Sequence, residues 1–133
     1  MGKVEHINPP GFLAQGFTNV VVVTGNVKTV YIGGQNGVNS AGEMVGKDDL
    51  TAQVAQIFEN LQIALEAGGA KLEHVIKWTI LVVHGQDVRP AFGVFQQVWG
   101  LRPNPPAITV AFVSALARPD ALAELEAIAV VPE

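Results

Sequence analysis

The alternation of apolar and polar positions in the first third of the chain predicts β-strands. Residues 18–35 read "TNVVVVTGNVKTVYIGGQ", with two β-branched runs on either side of a Gly-Asn turn. This pattern is typical of a β-hairpin, because Val, Thr, Tyr and Ile favour a pleated, half-buried surface. A short first strand is expected before the hairpin, from Val4 to Ile7.

The next segment has the periodicity of an amphipathic helix. It opens at "KDDLTAQ", where Asp48 or Asp49 can accept hydrogen bonds from the free amides of the first turn. Gly68 and Gly69 end it and can supply the left-handed residue that a helix end commonly needs. The apolar stripe of this helix consists of Leu50, Val54, Ile57, Phe58, Leu61, Ala64 and Leu65.

A second, shorter helix is predicted in "DVRPAFGVFQQVWG", where Pro90 suits the first turn. Core packing is the better interpretation of Phe95 and Trp99, which share one face of this helix. Three further strands are predicted in "HVIKWTILVVHG", "AITVAFV" and "ALAELEAIAVV". Trp78, in the first of them, is expected in the core or in a subunit interface.

This order of elements predicts an α+β fold with helices on one face of a mixed sheet. The strand that contains Trp78 is largely apolar at both alternating sets of positions. The face of the sheet without helices therefore also needs cover, and self-association through that face would provide it.

Composition narrows the classes of function. The 133 residues fit one domain, and only 15% are charged, below the roughly 25% typical of soluble domains. The net charge of −4 comes without a basic cluster, which argues against nucleic acid as a partner. Cysteine is absent, which excludes disulfides and thiolate chemistry. We found no secretion signal and no membrane-spanning apolar run, so a cytoplasmic protein without a membrane partner is expected.

Several segments, in their order and spacing, carry a resemblance to a known family. They are "VYIGGQ", "DDLTAQVAQIFENLQIALEAGGAKLEHVIKWTILV", "FQQVWG", "NPPAITV" and "ELEAIAV". Together they resemble the Rid (YjgF/UK114) family over nearly the whole length, as a single domain of residues 1–133. The resemblance implies a chorismate-mutase-like fold with a six-stranded mixed sheet and two helices on one face. It also implies a homotrimer with a central β-barrel and three ligand clefts between subunits.

The best-known activity of the Rid family is hydrolysis of enamines and imines, without a cofactor. Water attacks an already electrophilic carbon, so the protein mainly positions the substrate and guides protons. In those members an Arg binds the substrate carboxylate as a two-pronged ion pair. No metal is expected, because His6, His74 and His84 match no ligand spacing.

Most of the site positions implied by the resemblance hold other residues here. The implied substrate-binding positions are Phe17, Gly33, Gly34, Gln35, Phe92 and Ile108. Ile108 stands where the family has its carboxylate-binding Arg, Phe17 replaces a Tyr and Phe92 replaces an Asn. The catalytic carboxylate matches at Glu124. An apolar cleft with this lining should prefer a neutral or partly apolar ligand, because an anion would lose its hydration without gaining a partner.

Alternatives stay open for the charged residues and for the function. Glu124 and Glu126 could simply face solvent or pair with an arginine, for which the candidates are Arg89, Arg102 and Arg118. Arg102 could instead reach the cleft and replace the missing charge. The sequence therefore predicts either hydrolysis of an enamine or imine other than the usual 2-iminobutanoate, or a non-catalytic trimer that binds a small molecule or regulates a partner.

Overall fold

The computed structural model of the chain describes residues 1–13 and 16–133. In chain order, its helices and strands are β1 (Lys3–Ile7), β2 (Val20–Thr24), β3 (Val27–Gln35), α1 (Leu50–Ala67), a 3₁₀ turn (Leu72–His74), β4 (Val75–Val83), α2 (Arg89–Trp99), β5 (Ala107–Val113) and β6 (Ala123–Pro132). Both predicted helices and all six predicted strands, including the short first one, are confirmed.

The main sheet has the strand order β3-β6-β4-β5. Strands β4 and β5 are parallel, and the other neighbours are antiparallel, so the sheet is mixed as expected. Both helices pack on one face of this sheet, and they also contact each other. The α+β class is therefore confirmed.

The predicted hairpin is wrong in its pairing. Strand β2 pairs with β1 and β3 pairs with β6, and no ladder joins β2 to β3 in the part of the chain that the structure describes. The six strands thus form a two-stranded and a four-stranded sheet instead of one six-stranded sheet. The β3–β6 ladder ends where Val27 pairs with Pro132, and the β1–β2 ladder begins where Thr24 pairs with Lys3. The second ladder therefore continues the first along the β2–β3 segment.

The Gly25–Asn26 turn is a joint between β2 and β3 rather than a reversal. Gly25 has a φ of +79°, and a Cβ there would collide with the carbonyl oxygen of Met1. The backbone N–H of Glu133 donates to the Asn26 carbonyl at 3.0 Å, and that of Gly2 donates to the Glu133 carbonyl at 3.1 Å. These bonds place β1 in line with β6, so both pair along the same side of the β2–β3 segment.

The core is centred on Trp78 of β4, whose side chain is fully buried. Its ring centroid lies 5.5 Å from that of Phe58 in α1, and 5.1 Å and 5.8 Å from those of Phe95 and Trp99 in α2. All three contacts are edge-to-face, an arrangement that aromatic pairs favour. The structure confirms the core interpretation of Trp78, Phe95 and Trp99.

Helix α1 is capped at both ends by predicted residues. Of the two candidates at its start it is Asp49 that acts, because its carboxylate accepts from the backbone N–H of Ala52 at 3.1 Å. At the other end the Gly68 N–H donates to the carbonyl of Ala64, and Gly69 has the left-handed φ of +77°.

Replacing Asp49 with alanine should lower the free energy of unfolding by about 1 kcal/mol, because an amide of the first turn loses its acceptor. Asp49→Asn keeps a side-chain oxygen at the same place and is the matched control. Urea unfolding of the three proteins measures the difference. Equal midpoints for wild type and Asp49→Ala would show that the cap contributes nothing.

Candidate functional site

A single apolar cavity holds most of the predicted site residues. It has a volume of about 410 Å³ and lies between α1, α2 and the strands β4, β5 and β6. Phe17, Phe92, Ile108 and Glu124 all line it. The remaining apolar wall consists of Leu50, Val54, Ile57, Phe58, Ile80, Val82, Val88, Ala91, Phe95, Val110, Ala123 and Leu125. A cavity of this size and lining is typical of small-molecule sites.

Thr18 holds the N-terminal loop beside this cavity. The backbone N–H of buried Thr18 donates to the Pro106 carbonyl at 3.0 Å, and its hydroxyl donates to the Pro105 carbonyl. Both prolines directly precede β5, so these bonds hold Phe17 beside the strand that contains Ile108. Sequence reasoning did not foresee this role of Thr18.

Helix α2 supplies the wall opposite the sheet. Phe92 and Phe95 both line the cavity, but Phe95 is partly buried and packs against the core, whereas Phe92 is 46% exposed. Phe92 therefore stands where the cavity meets solvent, and a bound molecule would touch it. The predicted core role of Phe95 is confirmed, but Phe95 also lines the cavity, so the two phenylalanines are not divided between core and cavity as the sequence predicted.

The polar lining of the cavity is sparse. Among the residues that line it in the described part of the chain, Gln96 and Glu124 have polar side chains, and Glu124 has the only ionisable one. An anion placed here would find no positive partner in the lining, and burying an unpaired charge is costly. The cavity therefore suits a neutral or cationic molecule with an apolar body.

The Glu124 carboxylate lies against the end of β3. The pairing of β3 with β6 shifts between Ile32 and Gln35, where three steps along β3 match two along β6. A Cβ added to Gly34 in this bulge would lie 2.8 Å from Cδ of Glu124, so a side chain at Gly34 would collide with the carboxylate. Bulges of this kind often re-aim side chains next to functional sites.

Three of the predicted positions do not line the apolar cavity. Gly34 contacts Glu124, whereas Gly33 faces a shallower depression around Tyr31 and Lys77. The Gln35 amide donates to the Gly33 carbonyl at 3.0 Å and is occupied locally. Of these three residues, Gly34 alone is thus brought to Glu124, and none of the three lines the cavity with Phe17, Phe92 and Ile108.

The three arginines proposed as partners of Glu124 and Glu126 bind elsewhere. Arg102 donates to the carbonyls of Val98 and Trp99, each at 3.0 Å, at the end of α2. Within one chain, Arg102 therefore does not line the apolar cavity, and its suggested role in the cleft stays a prediction.

The other two arginines each pair with an aspartate two residues away. Arg118 lies 2.7 Å from Asp120 and Arg89 lies 2.9 Å from Asp87. Hydrogen bonds from these guanidinium groups lower the pKa of both aspartates below the ordinary value. The suggested arginine pairing of Glu124 and Glu126 is wrong, and Glu126 is exposed as the other alternative predicted.

A group of side-chain amides around Glu124 escaped the sequence analysis. Gln53 of α1 is completely buried, and Asn36 and Asn60 are partly buried. Gln53 lies three positions after Leu50 and four before Ile57, inside the apolar stripe. A polar residue at such a position signals a buried hydrogen-bonding role, and this signal could have identified it.

Two negative findings concern the described residues. Within residues 1–13 and 16–133, no group of three His, Asp or Glu side chains is placed to hold a metal ion. In that same part of the chain, no helix is both long and apolar enough to cross a membrane.

Comparison with known proteins gives the family. Residues 13–131 match the family model described as Endoribonuclease L-PSP. The chain belongs to this family, also called Rid. A RutC family protein from Pyrococcus horikoshii is 36% identical over 101 residues, which span 75% of this chain and 77% of that protein. Protein DfrA from Myxococcus xanthus is 32% identical over 105 residues, with 77% and 76% covered.

Solved Rid structures have the same fold. YyfB from Yersinia pestis superposes with a TM-score of 0.84 at 31% identity, over 96% of this chain and 98% of that one. The YjgF gene product of E. coli gives a TM-score of 0.69 at 29% identity, over 77% and 80%. E. coli TdcF, crystallised with bound serine, gives 0.70 at 27% identity, also over 77% and 80%. The family resemblance seen in the sequence and the chorismate-mutase-like fold are thereby confirmed.

Proposed function

We propose that this Rid protein hydrolyses a small imine or enamine with an apolar body and no carboxylate, in a cleft completed by a neighbouring subunit of a homotrimer. The observation that carries the proposal is the lining of the cavity, which is apolar except for Gln96 and Glu124. Such apolar side chains bind the apolar part of a substrate. One carboxylate is enough to accept a proton from water and transfer it to the substrate.

Imine hydrolysis requires one group that accepts a proton from the attacking water. Water adds to the carbon of a protonated C=N bond while the Glu124 carboxylate takes a proton from that water. Glu124 then passes this proton to the nitrogen of the adduct. The C–N bond breaks as the hydroxyl group gives its proton to Glu124, which releases a carbonyl compound and ammonia, and the ammonia takes up that proton to leave as ammonium. A carboxylate also attracts the positive charge of the iminium, so Glu124 would both bind the substrate and activate the water.

Ile108 sets the substrate class in this proposal. An imine derived from an amino acid carries a carboxylate that the family Arg would bind, and Ile108 has no hydrogen-bond donor for it. Imines from simple amines carry no such group. Binding of serine to TdcF, a relative with the same fold, supports a small-molecule site.

The proposed trimer accounts for the second face of the main sheet. Tyr31 is 76% exposed on the face opposite the helices, beside the half-buried Ile128, and the half-buried Leu81 lies further along the same face. Such a surface is expected in a subunit interface. We expect light scattering of the purified protein at micromolar concentration to give three times the mass of one chain, and a monomer mass would contradict the trimer. The proposal includes a cytoplasmic location and no resident cofactor or metal.

The catalytic proposal is tested by the loss of imines in competition with semicarbazide. Amine-derived and amino-acid-derived imines of equal side chain would be generated enzymatically and followed with and without the protein. The proposal expects faster loss of the amine-derived imine with an aromatic or branched side chain. Absence of acceleration with every imine would reject hydrolysis.

The same lining favours a second candidate, uptake of a small apolar molecule without turnover. Most of the polar groups that the resemblance implies are replaced, while the chain still has an apolar cavity of about 410 Å³. An apolar ligand that raises the melting temperature and is recovered unchanged would support this candidate over hydrolysis.

A further inference from the structure

The loop after β3 places an amide donor on the Glu124 carboxylate. Nδ2 of Asn36 lies 3.3 Å from Oε1 of Glu124 and 3.2 Å from the carbonyl oxygen of Ala123. The Ala123 carbonyl and an ionised carboxylate can only accept hydrogen bonds, so residue 36 has to supply the donor. An aspartate of the same shape could not do so.

Asn36 is itself held by α1. Nδ2 of Asn60 donates to the backbone carbonyls of Asn36 at 3.1 Å and of Val38 at 2.8 Å. Oδ1 of Asn60 in turn accepts from Nε2 of Gln56 at 2.8 Å, one helical turn earlier. The loop that contains Asn36 is thus fixed to a rigid element by side-chain amides, and the Asn36 side chain is left free for Glu124.

The chain that enters β6 is fixed by the same helix. Oε1 of Gln53 accepts from the Leu122 N–H at 2.8 Å, and its Nε2 donates to the carbonyls of Gly46 and Asp120, each at 3.2 Å. Leu122 is two residues before Glu124. One face of α1, through Gln53, Gln56 and Asn60, therefore sets the positions of both partners in the Asn36–Glu124 contact.

We propose that Asn36 is a positioning residue that holds the Glu124 carboxylate in one orientation. The Asn36 amide fixes Oε1, and the open side of Gly34 leaves room for Oε2, which would lie 2.9 Å from a Cβ at that position. The effect of Asn36 on catalysis rests on the function proposed above, whereas the hydrogen bond between Asn36 and Glu124 does not. A small misplacement of a catalytic group costs up to about 100-fold in rate.

The test compares Asn36→Asp with Asn39→Asp. Asp at position 36 has the shape of Asn but puts a second carboxylate against Glu124, and two such groups resist ionising together. The side-chain oxygen of Asn39 already accepts from the backbone N–H groups of Ala41 and Glu43, so Asn39→Asp adds the same charge to the same loop without losing a bond. Circular dichroism checks that both variants fold.

We expect Asn36→Asp to lower kcat/KM for imine hydrolysis by about 10- to 100-fold at neutral pH and to move the acidic limb of the pH profile to higher pH. Asn39→Asp is expected to leave both unchanged. Equal profiles for the two variants and the wild type would overturn the role of Asn36.

A second readout does not depend on turnover. The side-chain amide signals of Asn36 in a ¹⁵N spectrum are assigned by their loss in Asn36→Leu and followed from neutral to acidic pH. We expect them to move with pH in the wild type and to stay fixed in Glu124→Gln. Signals that behave alike in both proteins would reject the contact, whereas pH-dependent signals without imine hydrolysis would reject only the proposed function.

Discussion

Replacing Glu124 with glutamine is expected to slow imine hydrolysis by about 10²- to 10⁴-fold, the usual contribution of a positioned acid or base. Glutamine has nearly the same shape, so the cavity wall and the room beside Gly34 are retained. Its amide cannot take a proton from water and carries no charge to attract an iminium. The semicarbazide competition assay on the favoured imine measures the loss.

The matched control for this substitution is Glu126→Gln. Glu126 lies two residues further along β6, is exposed, and lies outside the apolar cavity. Both variants lose one negative charge from the same strand, so a difference between them reports the site and not the net charge. If Glu124→Gln hydrolyses imines as fast as Glu126→Gln, Glu124 has no part in the mechanism.

Introducing an arginine at Ile108 should reverse the preference between substrates. The guanidinium group provides two parallel donors for a carboxylate, and coupling energies of close charge pairs across interfaces are about 1.5–7 kcal/mol. The ratio of kcat/KM for amino-acid-derived over amine-derived imines is therefore expected to rise by about 10²-fold or more in Ile108→Arg. The same assay measures both rates.

Two controls separate the geometry of this effect from charge and volume. Ile108→Lys adds the same charge without the planar fork, and Ile108→Leu changes the shape with little change in volume. The lysine variant should show a smaller reversal, and the leucine variant should keep the wild-type preference. An unchanged ratio in Ile108→Arg would mean that this position does not meet the substrate. All variants need a thermal unfolding curve, because a charge in an apolar wall lowers stability.

The sequence correctly predicted those features that depend on residues close together in the chain. The Asp49 cap, the end of α1 at Gly68 and Gly69, and the buried aromatic residues all follow from spacing within one or two turns. The hairpin prediction was wrong because it relied on local sequence alone. The Gly25–Asn26 turn has the residues typical of a chain reversal. Its true role is decided by β1 and β6, which pair beside it from the two distant ends of the chain.

The candidate site was predictable only in part. Glu124, Phe17, Phe92 and Ile108 were identified by resemblance, and all four line the cavity. The contact of Asn36 with Glu124 joins positions 88 residues apart and depends on the register of β3 against β6. Periodicity contains no information on such a register, so the amides that surround Glu124 could not be assigned.

The joint at Gly25–Asn26 also bears on how this chain can change length during evolution. A surface turn rich in Gly and Asn ordinarily tolerates insertions, because the strands around it pair only with each other. Here β2 and β3 share one line of pairing with β1 and β6, and one extra residue would turn the side chains of a whole strand to the opposite face. Gaps in alignments of close homologues should therefore avoid residues 24–27 and collect in the loop at residues 39–43, where no ladder crosses.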